Sequence, residues 1–185
     1  VKTPLIQLPV ETSDGVFLAK YSENGLTKLD FPKAGGDGSA ERQSIFIPAT
    51  VRGWHRLTTK ALKNALKGRP TGPLPPLDWT GRTEFQKSVW RALLKIAPGQ
   101  SRSYGELARS IGRPKAVRAV GGACGANPVP VLVPCHRVLA ANHRLGGFSG
   151  GLNLKRALLD REGVRVQAFH CRIPATKNPP LKRRV

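Results

Sequence analysis

"SYGELARSIGRPKAVRAVGGACGAN", residues 103–127, carries two helix signals separated by a tight turn. Ser103 followed by Glu106 is a capping-box pattern, and Gly112 ends the first run. "GRP" at 112–114 turns the chain, and Pro114 suits a first helical position, so a second helix is expected from Lys115. Two short helices joined by a glycine-containing turn are a helix-turn-helix signature, a weak one alone because many helix pairs share it. The second helix is nearly without bulk: Ala116, Ala119, Gly121, Gly122, Ala123 and Gly125 leave Arg118 as its one long projecting side chain. Each glycine costs a helix up to about 1 kcal/mol relative to alanine, so three of them need a reason. Close approach to a nucleic-acid groove is one. A tightly packed internal helix with Arg118 at its edge is the other.

Charge favours the groove. The chain of 185 residues has 31 basic and 11 acidic side chains, a net of +20. Residues 1–80 hold 11 and 7 of these, and residues 81–185 hold 20 and 4, so +16 sits in the half containing the helix pair. Such asymmetry points to a polyanion, with nucleic acid ahead of an anionic membrane. No apolar run approaches the roughly 20 residues needed to span a bilayer. "VKTPLIQLPVE" at the start lacks a secretory layout, so a soluble, cytoplasmic protein is expected (nuclear in a eukaryote).

Outward from the helix pair, the spacing predicts a two-part α/β chain. Turn signals at 13–15 and 23–25 separate the strand-like runs "LIQLPVE", "VFLAKYS" and "LTKLDF", a small antiparallel sheet. "WHRLTTKALKNALKG" then puts Trp54, Leu57, Ala61, Leu62, Ala65 and Leu66 on one helical face. These elements make an N-terminal domain over 1–69, and the proline-rich 70–79 reads as an extended linker. Residues 80–168 form the second domain, mostly helical and winged-helix-like. Its first helix opens with Thr83 and Gln86 and turns Phe85, Val89, Trp90, Leu93 and Ile96 to a core. Residues 169–185 read as a basic flexible tail.

Three cysteines, Cys124, Cys135 and Cys171, make no C-x-x-C pair, which argues against a disulfide framework and a cysteine-rich zinc site. Cys135 sits in "VPCHRV" (133–138), on a backbone stiffened by Pro128, Pro130 and Pro134. A thiol of ordinary pKa needs a base or a positive environment to react. His136 is adjacent, but neighbouring side chains usually diverge, so a bridging water is the natural link. A carboxylate to orient the base must come from Glu84, Glu106, Asp160 or Glu162; with Glu106 engaged in capping, Asp160 and Glu162 are the candidates. "GGFSGGLNLKRALLDREG" supplies a glycine loop able to bring backbone and a ring against a flat ligand.

"SYGELA", "RPKAVRAVGGACGANPVP", "VPCHRV" and "GGFSGGLNLKRALLDREG", in this order, resemble the O6-alkylguanine-DNA alkyltransferases (methylated-DNA–protein-cysteine methyltransferases) over roughly residues 80 to 164. The resemblance implies a single-turnover repair protein. It binds duplex DNA through the minor groove, flips an O6-alkylated guanine out of the stack and takes the alkyl group onto its own cysteine. By the same resemblance Cys135 is the acceptor, His136 the base acting through a water, and Glu162 the residue orienting it. Arg118 is similar to the finger that fills the gap left by the base. Tyr104 crowds the 3′ phosphate and donates to the guanine, and Asn127 is the hinge asparagine. Ser103, Tyr104, Ala116, Arg118, Ala119, Gly121 and Arg137 are expected against DNA. Cys124, Cys135, Val138, Phe148 and Ser149 are expected around the flipped base.

Phe148 stands where many relatives have tyrosine, and Cys124 is a departure within the recognition helix, a small filler or a secondary oxidation or methylation site. No cysteine precedes Cys124, so no zinc and no cofactor are expected. The expected species is a monomer, with cooperativity on DNA left open. Two other classes compete: a non-catalytic lesion sensor on the same scaffold, and a helix-turn-helix regulator with an incidental thiol. A cysteine hydrolase leaves the smooth helix and the basic half without a use.

Overall fold

The computed structural model describes residues 5–32 and 47–166. The tail from 169, with His170 and Cys171, lies outside the described residues. Strands β1 (Ile6–Thr12), β2 (Gly15–Ser22) and β3 (Gly25–Asp30) form an antiparallel sheet in that order, with Val10 opposite Phe17 and Ala19 opposite Leu29. The two-residue alternation is clean on β2. Phe17, Ala19 and Tyr21 are fully buried, while Val16 between the turn and Phe17 is exposed. Helix α1 (Ala49–Ala65) lays Val51, Thr58, Ala61, Leu62 and Ala65 on this sheet.

The proline-rich stretch is extended, as expected, and it is also docked. Leu26 N–H donates to the Pro76 carbonyl at 2.8 Å, and Asp78 N–H donates to the Leu26 carbonyl at 3.0 Å. A segment rich in proline can add only at a sheet edge, because it has few N–H groups to offer a further strand. Gly25, at φ +141°, permits the approach: a Cβ there would stand 2.2 Å from the Pro76 oxygen. The strap then delivers Trp79 edge-on to Trp90, with ring centroids 5.4 Å apart.

Helix α2 (Glu84–Leu94) opens with the complete Thr83–Gln86 capping box, and α3 (Tyr104–Ser110) with the Ser103–Glu106 box. Helix α4 runs over Val117–Gly125, later than the expected start at Lys115. Pro114 is therefore not a first helical residue. It lies in a turn closed by Ala116 N–H donating to the Arg113 carbonyl at 2.9 Å, which Gly112 enters at φ +70°. Trp90 Nε1 donates to the Ala123 carbonyl at 2.8 Å and ties α2 to α4 inside the core.

From Asn127 the chain is irregular and buried to Leu139. It passes through a single 3-10 turn (Cys135–Arg137) and β5 (Val138–Leu139), which pairs in parallel with β4 (Arg102–Ser103). Helix α5 (Leu152–Arg161) closes the described part. One hydrophobic cluster takes in Phe17 and Leu26 of the sheet together with Trp90, Val120 and Val133, so it crosses the boundary drawn at the linker. Leu29 N–H also donates to the Pro128 carbonyl at 2.9 Å, bringing the sheet against the segment that leads to Cys135.

Candidate active site

Cys135 is held from behind. Asn127, the first residue past the α4 cap, donates from Nδ2 to the Cys135 Sγ at 3.2 Å and to the Val133 carbonyl at 2.7 Å. Its Oδ1 accepts from Val129 N–H at 3.0 Å. One amide thus fixes both ends of the segment from the helix to the thiol. Between them Val131, fully buried, sits at φ +71°, a conformation that β-branched residues adopt only when their surroundings impose it.

His136 is fully buried, and its Nε2–H donates to Glu162 Oε1 at 3.1 Å. That contact fixes the tautomer and leaves the lone pair on Nδ1. Nδ1 is buried without a hydrogen-bond partner among the described residues. Burial lowers the His136 pKa below 6.5, against the pull of Glu162, so the ring is neutral at physiological pH. Burial pushes the Glu162 carboxyl up, but hydrogen bonds from His136 and Arg137 outweigh it and hold its pKa below 4.5. Of the two carboxylate candidates, then, Glu162 is the one on the ring, and Asp160 is exposed.

Arg137, expected on DNA, is not available to it. It is 5% exposed, and its Nε and Nη2 reach Glu162 at 2.8–3.1 Å while Nη1 donates to the Ile96 carbonyl at 2.5 Å. A guanidinium so matched to a buried carboxylate cannot leave without stranding that charge. Val138, expected in the pocket, is instead a fully buried core residue of β5. Its carbonyl accepts from Lys155.

A cavity of about 220 Å³ opens over the thiol, lined by Tyr104, Gly121, Cys124, Gly125, Cys135, Gly147, Phe148 and Ser149. Five of the residues expected there or against DNA (Tyr104, Gly121, Cys124, Phe148, Ser149) therefore meet Cys135 at one opening. Burial raises the Tyr104 phenol, with the two thiols adding to the effect, so the hydroxyl stays a donor. Burial likewise raises Cys124 to about 12, which keeps it a thiol. Burial also raises Cys135, while the Asn127 hydrogen bond and the Lys155 charge pull it back down. Arg118 and Ala119 are exposed on the outer face of α4, and Ala116 is half-buried at its start. Ser103 is occupied by its capping box.

Two contributors escaped the sequence reading. Lys155 is fully buried with no carboxylate partner; its Nζ donates to the carbonyls of Val138 (2.6 Å), Leu145 and Gly147 (3.3 Å). Desolvation lowers its pKa to about 8, although the thiols raise it. Its spacing from Leu158 and Leu159, one turn earlier on the buried stripe of α5, was the available signal. Phe31, just past β3, stacks edge-on to Phe148 at 5.5 Å, and Phe148 meets the His136 ring at 6.3 Å. Among the described residues no three His, Cys, Asp or Glu side chains gather as metal ligands.

The chain is 38% identical over 156 residues to the methylated-DNA–protein-cysteine methyltransferase of Methanosarcina barkeri, covering 83% of this chain and 94% of that relative. The chain belongs to the methylated-DNA–protein-cysteine methyltransferase family. The family description "6-O-methylguanine DNA methyltransferase, DNA binding domain" matches residues 84–164, which contain all the cavity-lining side chains. A Mycobacterium tuberculosis methylated-DNA–protein-cysteine methyltransferase is 55% identical over 92 residues, half of this chain and 55% of that protein. The chain thus spans about half the length of that relative. The crystal structure of Mycobacterium tuberculosis OGT in complex with DNA superposes with a TM-score of 0.67 at 38% identity, covering 83% of this chain and 90% of the other.

Proposed function

We propose that this chain repairs O6-alkylguanine in duplex DNA by irreversible transfer of the alkyl group to Cys135, one lesion per molecule. The observation that carries the reading is the thiol at the cavity wall, backed by a neutral His136 whose free Nδ1 is the one ring nitrogen able to take a proton. In this reading a water joins the thiol to Nδ1, and the proton passes to His136, where Glu162 stabilises the imidazolium. The thiolate attacks the alkyl carbon, an S–C bond forms, and the C–O6 bond breaks with its electron pair going to the guanine. The Tyr104 hydroxyl donates to the departing base, which takes up a proton and returns as normal guanine.

A thiol raised by burial is inert until an electrophile and a base are both in place, which suits a protein used once. Lys155 serves as the nearby cation that favours the thiolate, and it also pins the loop on which Gly147 and Phe148 sit. About 220 Å³ is smaller than the roughly 300–1,000 Å³ of drug-sized ligand sites and suits one planar base. The unbulky outer face of α4 fits a minor groove, where only small side chains allow a helix close approach, and Arg118 is the side chain able to enter the stack. A monomer acting wherever the genome lies, the cytoplasm in a bacterium, completes the reading. No helix among the described residues is long and apolar enough to cross a membrane.

Chromatography of hydrolysed DNA after mixing a limiting amount of protein with lesion-bearing duplex tests this. One O6-methylguanine should revert to guanine per molecule, and none with Cys135→Ala. Tight, lesion-selective binding with no reversion would make the chain a sensor instead.

A further inference from the structure

Helix α1 and the turn that continues it carry Arg52, Arg56, Lys60, Lys63 and Lys67, and all five are exposed. At 3.6 residues per turn they fall within an arc of about 80°, opposite the stripe that α1 buries on the sheet. No acidic residue occurs anywhere in residues 49–69. Arg52 donates to the Ile47 carbonyl at 3.1 Å, and among the described residues none of the five is in an ion pair.

A face kept only for solubility mixes signs, as α2 does where Glu84 pairs with Lys87 at 2.8 Å and Arg91 at 3.8 Å. On α1 the neighbours 52–56, 56–60, 60–63 and 63–67 are all like-charged, a spacing that destabilises a helix. A row of phosphates relieves that repulsion. From Arg52 to Lys67 the ridge rises about 22 Å at 1.5 Å per residue. One strand of a duplex advances about 3.4 Å along the axis per phosphate, so a ridge of that length faces several phosphates before the strand winds away. The ridge belongs to the N-terminal part, outside the α3–α4 pair and the cavity.

We propose that this ridge is a second phosphate track, which holds the backbone of duplex DNA beyond the segment engaged by α3 and α4 without reading its sequence. It supplies electrostatic grip in the half of the chain whose overall charge balance is close to even. The extra contacts lengthen residence on undamaged DNA while lesions are sought.

The test compares the wild-type chain with R56Q/K60Q/K63Q/K67Q for binding to a long undamaged duplex over a range of salt concentrations. The expected result is weaker binding and a log–log salt slope shallower by about 3 to 4, at about 0.9 per phosphate contact. The thermal midpoint does not fall, and reversion of a lesion in a short duplex stays at the wild-type level. Because the long duplex is undamaged, the slope is independent of whether Cys135 takes an alkyl group. Should the fourfold variant fail to fold, R56Q/K60Q and K63Q/K67Q read the same slope in halves. An unchanged slope overturns the proposal. So does intact DNA binding with loss of binding to phosphatidylserine vesicles, which assigns the ridge to a membrane surface.

Discussion

His136 and Glu162 are both held in the protonation state that the proposed alkyl transfer requires, and the causes give the acid side of the pH response. The folded His136 pKa lies below 6.5, so as pH drops below that value the unfolded chain binds a proton that the folded chain refuses. Stability from this residue is therefore present above 6.5 and is lost on acidification. Glu162 adds the same sign lower down: its contribution is present above 4.5 and is lost as pH falls through its depressed folded pKa. Denaturant titrations should show stability declining from pH 6.5 downward. The transfer rate, followed by rapid quench, should stay level through that pH while the fold persists, because the buried ring is still neutral. Glu162→Gln should lower the transfer rate and also cost about 3–5 kcal/mol, since Arg137 is left as an unpaired buried cation. Asn127→Ala removes a donor to Sγ and to the Val133 carbonyl; about 1–3 kcal/mol should be lost in denaturant melts, and the Cys135 thiol pKa should move further up.

Helix α4 carries two glycines without a packing need: nothing lies within 4 Å of a Cβ built at Gly122 or Gly125, whereas one at Gly121 would meet the Tyr104 ring at 4.0 Å. Gly122→Leu should thus keep or raise stability, by up to about 1 kcal/mol of helix propensity, while weakening DNA binding. A fall in stability with unchanged binding would point to a packing role for the glycine. Gly68 is the opposite case. It sits at φ +71°, and a Cβ there would stand 2.1 Å from the Arg161 carbonyl, the residue before Glu162. Arg161 itself donates to the Leu66 carbonyl at 2.8 Å and to both Asp14 oxygens at 2.7 and 2.9 Å. Gly68→Ala should therefore lose about 1–3 kcal/mol in melts and slow transfer by shifting the end of α5, whereas Asp14→Ala, at a partly exposed pair, should cost about 1 kcal/mol at most. These elements also mark how far the sequence could be read. The two capping boxes, the alternation on β2 and the apolar stripe of α1 are local patterns, and each was legible. Burial of Arg137 was not, and Lys155 left only its place on the apolar stripe of α5, because a charged side chain goes inside only when distant backbone or carboxylate partners meet it. The strap over Leu26 was half legible: proline fixes an extended shape but does not say which sheet edge receives it.

As a whole the molecule joins a nearly balanced half to a strongly basic one, with a single apolar cluster running through both. The N-terminal sheet does more than add mass. It supports the site through Leu29 on Pro128, Phe31 on Phe148 and Asp14 on Arg161, three contacts that converge on the segment before Cys135, the cavity rim and the helix leading to Glu162. The net charge of +20 predicts DNA affinity that falls steeply with salt, by about 10³–10⁵ between 50 and 200 mM if six to ten phosphates are engaged. A filter-binding titration reads this directly. Whether Cys135 is the alkyl acceptor is decided by intact-protein mass spectrometry with peptide mapping after incubation with duplex DNA carrying one O6-methylguanine. One methyl group should be gained per molecule, located on Cys135 and absent from Cys135→Ala. No gain, or a methyl group on Cys124 with Cys135 unmodified, would contradict that role.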